Sequence, residues 1–178
     1  MNRFNLIQVF AVAALFSNGA SAHVVLENQV AQAGSYYKAV LKVSHGCDGS
    51  PIKKIILTIP DGFQGVKPMI KPGWNIEIKK EVLKKPYVSH GKTISQDVIE
   101  ITWDGNTIPN GFYDEFVVVG KLPETEGKIY WKTTQICEKG QIDWNQIPVK
   151  NQSLKDLEYP AAELKLISPD QSSHQHNH

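Results

Sequence analysis

The hydrophobic positions between residues 36 and 167 fall into short runs in which β-branched and aromatic residues predominate. Two of these runs, WNIEI and VIEITW, alternate apolar and polar residues, which is the two-residue period of a strand with one buried face. The others are short apolar runs, as in strands buried on both faces. Strands are predicted over residues 36–43, 55–59, 74–78, 98–103, 116–119, 129–133 and 164–167.

Residues that favour turns separate these predicted strands. The segments PDG, KPG, DG and PNG lie between them. Glycine and asparagine adopt the backbone angles that tight turns require, and proline fixes its own φ. No segment carries a long apolar period of 3.6 residues, and no internal repeat is visible. The pattern therefore predicts an all-β domain in the form of a two-sheet β-sandwich.

The charged residues add little to this picture. Lys and Arg number 19 against 18 Asp and Glu, a net charge of +1, which argues against a nucleic-acid-binding protein because such proteins carry a basic face. Segment 79–87 (KKEVLKKPY) concentrates four lysines beside one glutamate. It is either a docking patch for an acidic partner or a solvated hairpin or loop, and we favour the second interpretation.

The first 22 residues have the composition of a secretory signal peptide. Arg3 precedes the mostly apolar segment 4–16, and residues 20–22 (ASA) have the small side chains of a cleavage site. An uncleaved anchor is the alternative, but the apolar stretch is short for a bilayer span and no later segment could form one. We therefore predict cleavage after Ala22, a periplasmic or secreted mature chain without a membrane span, and a folded domain over residues 23–167.

Export also bears on the two cysteines, Cys47 and Cys137. An oxidising compartment favours a disulfide between them, which would close a loop through most of the domain. A thiolate metal pair or a redox couple is the alternative, but the chain lacks the CxxC spacing typical of such sites. A structural disulfide is the prediction.

Cleavage after Ala22 would make His23 the first residue, with an α-amine beside its imidazole. These two nitrogens can chelate one metal ion in a six-membered ring, and an α-amine, with a pKa of about 7.7–8.0, gives up its proton to a metal near neutral pH. Tetragonal nitrogen ligands suit Cu(II), which also leads the divalent affinity order, although zinc or nickel could use the same atoms. The alternative is that histidine stands first by chance.

A chelate of two nitrogens needs one or two further ligands. His45 follows a predicted strand in the loop SHGCDGS, where glycines permit close approach and a disulfide would fix the loop. Asp48 in the same loop and Glu27, four residues from the amine, are weaker candidates. The competing interpretation of His45 is a residue that only makes hydrogen bonds.

The polar segment 168–178 predicts a disordered tail, because it has no residue suited to packing in a core. It ends in the alternating histidines His174, His176 and His178. Histidines on a mobile chain could gather copper, nickel or zinc with modest affinity. The alternative is a polar tail without function.

The chain carries, in this order, the motifs His23-Val24, Pro72-Gly73-Trp74, Thr102-Trp103, Phe112-Tyr113-Asp114-Glu115-Phe116 and Asp143-Trp144. In these motifs residues 23–148 resemble the YcnI-like family of exported copper-binding domains. The resemblance implies an immunoglobulin-like or cupredoxin-like β-sandwich. It also implies copper held by the amine and imidazole of the N-terminal histidine, together with a glutamate and a nearby tryptophan.

Carried over by position, the resemblance assigns His23 as the copper-binding histidine and Trp144 as the tryptophan beside the metal. The loop expected to supply the glutamate contains His45 and no glutamate, which resembles a subgroup with a histidine and a disulfide there. We therefore expect His45 to replace the carboxylate. Trp144 could equally be a core residue. The other tryptophans are expected in the core: Trp74, Trp103 and Trp131.

The predicted function is that of an exported Cu(II)-binding protein without catalytic activity, a copper chaperone or storage factor that exchanges copper with other periplasmic copper-trafficking proteins. The histidine-rich tail would raise the local metal concentration. A copper oxygenase of the polysaccharide-cleaving type is one alternative, since it also uses an N-terminal histidine chelate and a second imidazole. A metal-free structural or adhesive β-sandwich is the other. The chain has no hydrolase, zinc-protease, P-loop or dinucleotide-binding motif.

Overall fold

The computed structural model describes residues 23–168, in which almost all regular structure is β-strand. The helical elements of this part of the chain are two single 3-10 turns, Cys47–Gly49 and Leu154–Asp156. The strands in chain order are β1 (Val25–Leu26), β2 (Val30–Gln32), β3 (Tyr36–Val43), β4 (Ile52–Thr58), β5 (Gln64–Pro68), β6 (Asn75–Ser89), β7 (Lys92–Asp104), β8 (Asp114–Lys121), β9 (Gly127–Cys137), β10 (Gln141–Trp144) and β11 (Ala162–Ile167). The all-β prediction is confirmed.

The strands form two sheets. One has four strands in the order β1-β3-β8-β5, and the other has seven, in the order β2-β11-β9-β4-β7-β6 with β10 added beside β9. All pairs are antiparallel except β2 with β11. Strand β9 pairs with three strands. One edge pairs first with β11 and then with β10, and the other edge pairs with β4. The predicted two-sheet sandwich is therefore confirmed.

The core between the sheets is built around aromatic side chains. Trp103, Trp131 and Phe116 are fully buried, and the rings of Trp103 and Phe116 meet edge to face with centroids 5.3 Å apart. Trp74 packs on the same phenyl ring at 5.2 Å, and Phe63 packs on Trp131 at 4.9 Å. Such T-shaped pairs add to the free energy gained from burial. The predicted core positions of the three tryptophans are confirmed.

Strands β6 and β7 form a long hairpin that contains the lysine-rich segment 79–87. Its two-residue turn is His90-Gly91, and both residues have positive φ (49° and 72°), as the twist of a hairpin favours. Most of β6 is exposed, and its backbone pairs with β7 despite two register shifts. The segment is therefore an exposed part of a hairpin, in which residues 79–82 and 87 pair with β7, and the favoured interpretation of a solvated hairpin or loop agrees with this.

Two predictions concern residues outside the described range. The signal peptide, residues 1–22, is not described, nor are residues 169–178, which include His174, His176 and His178. Both therefore stay predictions. Within residues 23–168, no helix is long and apolar enough to cross a bilayer.

Candidate metal centre

Strand β1 holds the chain next to His23 in place. Leu26 of β1 pairs with Leu41 of β3, and both side chains are buried in the core. Because the two strands are antiparallel, His23 comes to lie beside the end of β3, from which the loop with His45 follows. The strand pairing therefore brings together two histidines that are well separated in the sequence.

His45 lies in a tight loop between β3 and the 3-10 turn Cys47–Gly49. Its Nδ1 is 3.1 Å from the carbonyl oxygen of Gly46, and since a carbonyl oxygen only accepts, Nδ1 is the protonated nitrogen. Nε2 then carries the lone pair that a metal ion needs. A Cβ built on Gly46 would overlap the carbonyl oxygen of Ser50, so the loop has room only for glycine there.

A disulfide between Cys47 and Cys137 fastens this loop to the end of β9, and the predicted pairing is confirmed. Both cysteines are buried, and the amide N–H of Cys47 also donates to Sγ of Cys137 at 2.9 Å. The bond links positions 90 residues apart in the sequence. It therefore holds the loop of His45 against the sheet that carries Trp144.

Trp144 is the last residue of β10, which lies along β9. Its indole is buried and meets the imidazole of His23 edge-on, with ring centroids 5.5 Å apart and an angle of 64° between the planes. On another side it packs against Tyr159, with centroids 5.7 Å apart. Trp144 is thus a core residue, and it also lies directly beside His23.

These side chains line one surface cleft of about 460 Å³. His23 and His45 lie on it together with Trp144, and Asp48 adds a carboxylate from the same loop as His45. Glu158 contributes a second carboxylate from the chain before β11. The structure therefore gathers four of the predicted site residues into one cleft and adds a glutamate that was not predicted.

Glu27 lies outside this cleft. Its Oε1 is 3.5 Å from Nζ of Lys42, which belongs to the neighbouring strand β3. Opposite charges at this distance form a half-exposed surface ion pair, which contributes little to stability. The structure therefore does not bring Glu27 together with the other predicted ligands.

The electrostatics of the cleft differ between its two sides. Burial, and then the neighbouring His45 imidazole, lower the pKa of His23 below its ordinary value of 6.5. The neutral ring, which is the form that binds metal ions, is therefore favoured near neutral pH. On the other side, Glu158 raises the pKa of Tyr159 through a hydrogen bond and its charge, with smaller contributions from burial and from Asp48. That phenol stays protonated.

Residues 23–166 match the family described as domain of unknown function DUF1775. The chain belongs to this family. The resemblance to YcnI-like proteins is confirmed at the level of the family, because the YcnI-like and DUF1775 families are the same. The match begins at His23, and this DUF1775 domain occupies nearly all of the described residues.

A solved structure of another protein shares the fold of this DUF1775 domain. An uncharacterized protein from Nocardia farcinica with an immunoglobulin-like fold is 20% identical, with 83% of this chain and 99% of that chain covered and a TM-score of 0.63. A non-cellulosomal cohesin from the hyperthermophilic archaeon Archaeoglobus fulgidus is 10% identical, with 88% of this chain and 98% of that chain covered and a TM-score of 0.37. The first likeness shows an immunoglobulin-like fold. No curated protein matches the chain.

Side chains alone do not complete a metal site in the described part of this DUF1775 domain. Within residues 23–168, no group of three or more His, Cys, Asp or Glu side chains is placed to hold a metal ion. The cleft offers the imidazoles of His23 and His45, and cleavage after Ala22 would add the α-amine of His23 as a third nitrogen. Three nitrogens of this kind fit Cu(II), on the condition that the mature chain begins at His23.

The sequence pattern did not indicate three residues of this region: Gln135, Glu158 and Tyr159. Gln135 is buried on the inward face of β9, two residues after Thr133 and four after Trp131. A polar amide at an inward position of a strand was the available signal. Glu158 and Tyr159 lie in irregular chain before β11, and no local pattern marks them.

Proposed function

We propose that the mature chain is an exported Cu(II)-binding protein of copper trafficking, a chaperone or storage factor rather than an enzyme. One observation carries the proposal: His23, the predicted first residue after export, lines the same cleft as His45 and lies edge-on to Trp144. The family match supports the same starting point, because it begins at residue 23.

The chemistry of the proposal follows from the nitrogen atoms of the cleft. The α-amine and Nδ1 of His23 form a six-membered chelate. Nε2 of His45 adds a third nitrogen, because Nδ1 of His45 is engaged in a hydrogen bond to the carbonyl oxygen of Gly46. Among the divalent first-row ions, Cu(II) has the highest affinity for such a set. Binding displaces the proton of the amine, so the affinity should rise with pH up to the amine pKa, about 7.7–8.0.

Copper is the cargo in this proposal, and the cleft is suited to its exchange. His23 and His45 are only partly buried, so a second protein can approach this cleft from the solvent. The buried ring of Trp144 packs edge-on against the imidazole of His23. A carrier that passes copper to other trafficking proteins needs both a defined ligand set and one accessible side.

A copper-dependent oxygenase is the second candidate, and the presence of two imidazoles at one cleft is the observation that favours it. Peroxide production with ascorbate separates the two candidates. The carrier proposal expects less peroxide from the copper-loaded protein than from the same concentration of unbound copper. Sustained peroxide turnover or release of oxidised sugars would contradict the carrier and favour the oxygenase.

Calorimetric titration of Cu(II) into protein that begins at His23 tests the proposed site. We expect one tight site per chain, and we expect His45→Ala to weaken it about tenfold or more because one of three nitrogen ligands is lost. His90→Ala is the matched control, since His90 is exposed in the β6–β7 turn and does not line the cleft. A protein without a one-to-one site would support the metal-free β-sandwich, and equal effects of the two variants would contradict a specific role of His45.

The proposal also requires export and cleavage. Mass spectrometry of the exported protein should give a chain that begins at His23, and an intact N-terminus would contradict the amine ligand.

Deletion of residues 169–178 separates the copper binding of the tail from that of the cleft. We expect this deletion to remove weak additional copper binding by His174, His176 and His178 and to leave the tight site unchanged.

A further inference from the structure

A buried glutamine, Gln135, connects two parts of the cleft. Its Nε2 donates to the main-chain carbonyl of His45 at 2.7 Å, and its Oε1 accepts from Nε1 of Trp144 at 3.3 Å. The side chain is only 1% exposed. One amide group therefore joins the loop of a proposed copper ligand to the tryptophan that packs beside His23.

The partners of this amide fix its orientation. A carbonyl oxygen only accepts and an indole N–H only donates, so a single placement of the amide satisfies both. Rotation by 180° would set a donor against the indole N–H and an acceptor against the carbonyl oxygen. Because unpaired polar groups are costly in a buried position, Gln135 holds both partners in one arrangement.

Trp144 differs in this respect from two other buried tryptophans. The indole Nε1 atoms of Trp103 and Trp131 have no hydrogen-bond partner within residues 23–168. The rings of these two residues are set by packing against neighbouring aromatic side chains. Trp144 ends a strand of only four residues, and its ring has a directional bond to Gln135 in addition to its packing.

We propose that Gln135 is a positioning residue of the copper site, which sets the edge-on orientation of Trp144 towards His23 and fixes the main chain at His45. This inference rests on the proposed copper-binding function. Gln135 supplies no ligand atom itself. Its loss should therefore change the geometry of the site without changing the number of nitrogen ligands.

Two variants break this connection to different degrees. Gln135→Met keeps the length of the side chain and removes both hydrogen bonds, whereas Gln135→Asn keeps the amide but is one methylene too short to reach both partners. The Asn variant decides the question if the Met variant does not fold. Thr133→Val is the matched control, because Thr133 lies on the same face of β9, is equally buried, and has a hydroxyl without a hydrogen-bond partner within residues 23–168.

The first measurement needs no copper. In protein labelled with 5-fluorotryptophan, we expect the ¹⁹F resonance of Trp144, assigned with Trp144→Phe, to shift in both Gln135 variants and to keep its position in Thr133→Val. A glutamine that only stabilises the fold would lower the unfolding midpoint without a selective shift of this resonance. An unshifted Trp144 resonance in a folded Gln135 variant would overturn the proposal.

The second measurement uses Cu(II) itself as the probe, by titration and electron paramagnetic resonance. Changes to residues that orient metal ligands typically cost about 10- to 100-fold in affinity, and we expect a loss of this size in the Gln135 variants with an altered spectrum and the same number of nitrogen ligands. Wild-type affinity and spectrum in both variants would overturn the role of Gln135 and leave the proposed function standing. A wild-type protein without a tight copper site would overturn the proposed function and, with it, the copper role of Gln135.

Discussion

Removal of the Cys47–Cys137 disulfide tests how the fold supports the cleft. In a variant with Cys47→Ala and Cys137→Ala, the loop of His45 loses its covalent attachment to β9. We expect this variant to be less stable because its unfolded chain is less restricted. Its Cu(II) affinity should fall as well, because ordering the released loop then costs free energy on binding.

The expected loss of stability follows from the length of the loop that the disulfide closes. The two cysteines are 90 positions apart. For a loop of this length, the loop-entropy relation gives about 4–5 kcal/mol of stabilisation by the disulfide. Since domains unfold with a free energy of about 5–15 kcal/mol, the variant should lose a large part of its stability.

Guanidinium chloride unfolding followed by tryptophan fluorescence measures this loss. Reducing agent provides the control, since it should destabilise the wild-type protein by a similar amount and leave the double variant unchanged. A difference in unfolding free energy below about 1 kcal/mol, the size of a typical point substitution, would refute the assignment of a structural disulfide that stabilises the domain.

Three further changes have defined outcomes. Gly46→Ala should lower both the Tm and the Cu(II) affinity, measured by heat unfolding and titration, because the added Cβ would overlap the carbonyl oxygen of Ser50 and the loop must move. Trp131→Ala should cost about 3–5 kcal/mol in guanidinium unfolding because its ring is fully buried, and a loss near zero would contradict the core assignment. Burial, and then Glu27, raise the pKa of Tyr37 to about 12, and burial followed by Asp97 raises the pKa of Tyr87 to about 12. Folding favours the neutral phenols, so their contribution to stability should be complete below about pH 10, the ordinary tyrosine pKa, and should decrease as the pH rises towards 12. Unfolding midpoints on either side of this range check the direction, and Tyr87→Phe should lessen the decrease.

Strands with one buried face could be predicted from the sequence. The predicted strand 36–43 coincides with β3, whose side chains reach the core. Strands β1, β2, β5 and β10 have only two to five residues each, which is too short for a period of two to show. Strand β6 continues to Ser89, although the predicted strand ends at residue 78. Beyond that point most side chains are exposed, so no hydrophobic pattern marks a strand that is held by pairing with β7.

Site residues could be predicted where the signal is local in the sequence. His23 was a candidate ligand because of the predicted cleavage site before it, and His45 was one because of the composition of its loop. The prediction of Trp144 depended on the family resemblance, because β10 is too short for an alternation of polar and apolar residues to show which side chains face inward. Gln135 depends on strand register, since it reaches Trp144 only because β10 lies along β9 with Ile142 opposite the glutamine. Register of this kind is set by the whole sheet and cannot be predicted from any short segment.

The α-amine of His23 is the centre of the proposed site, and a short N-terminal extension abolishes it as an amine ligand. The most direct measurement is therefore Cu(II) titration of the chain that begins at His23, compared with the same chain preceded by four alanines. The extension turns the amine of His23 into an amide and keeps the new amine too distant to form a small chelate ring with that imidazole. We predict that the extended chain binds Cu(II) at least about tenfold more weakly, with one nitrogen ligand fewer in its electron paramagnetic resonance spectrum. Equal affinity and the same spectrum for the two proteins would contradict copper binding by the N-terminal histidine.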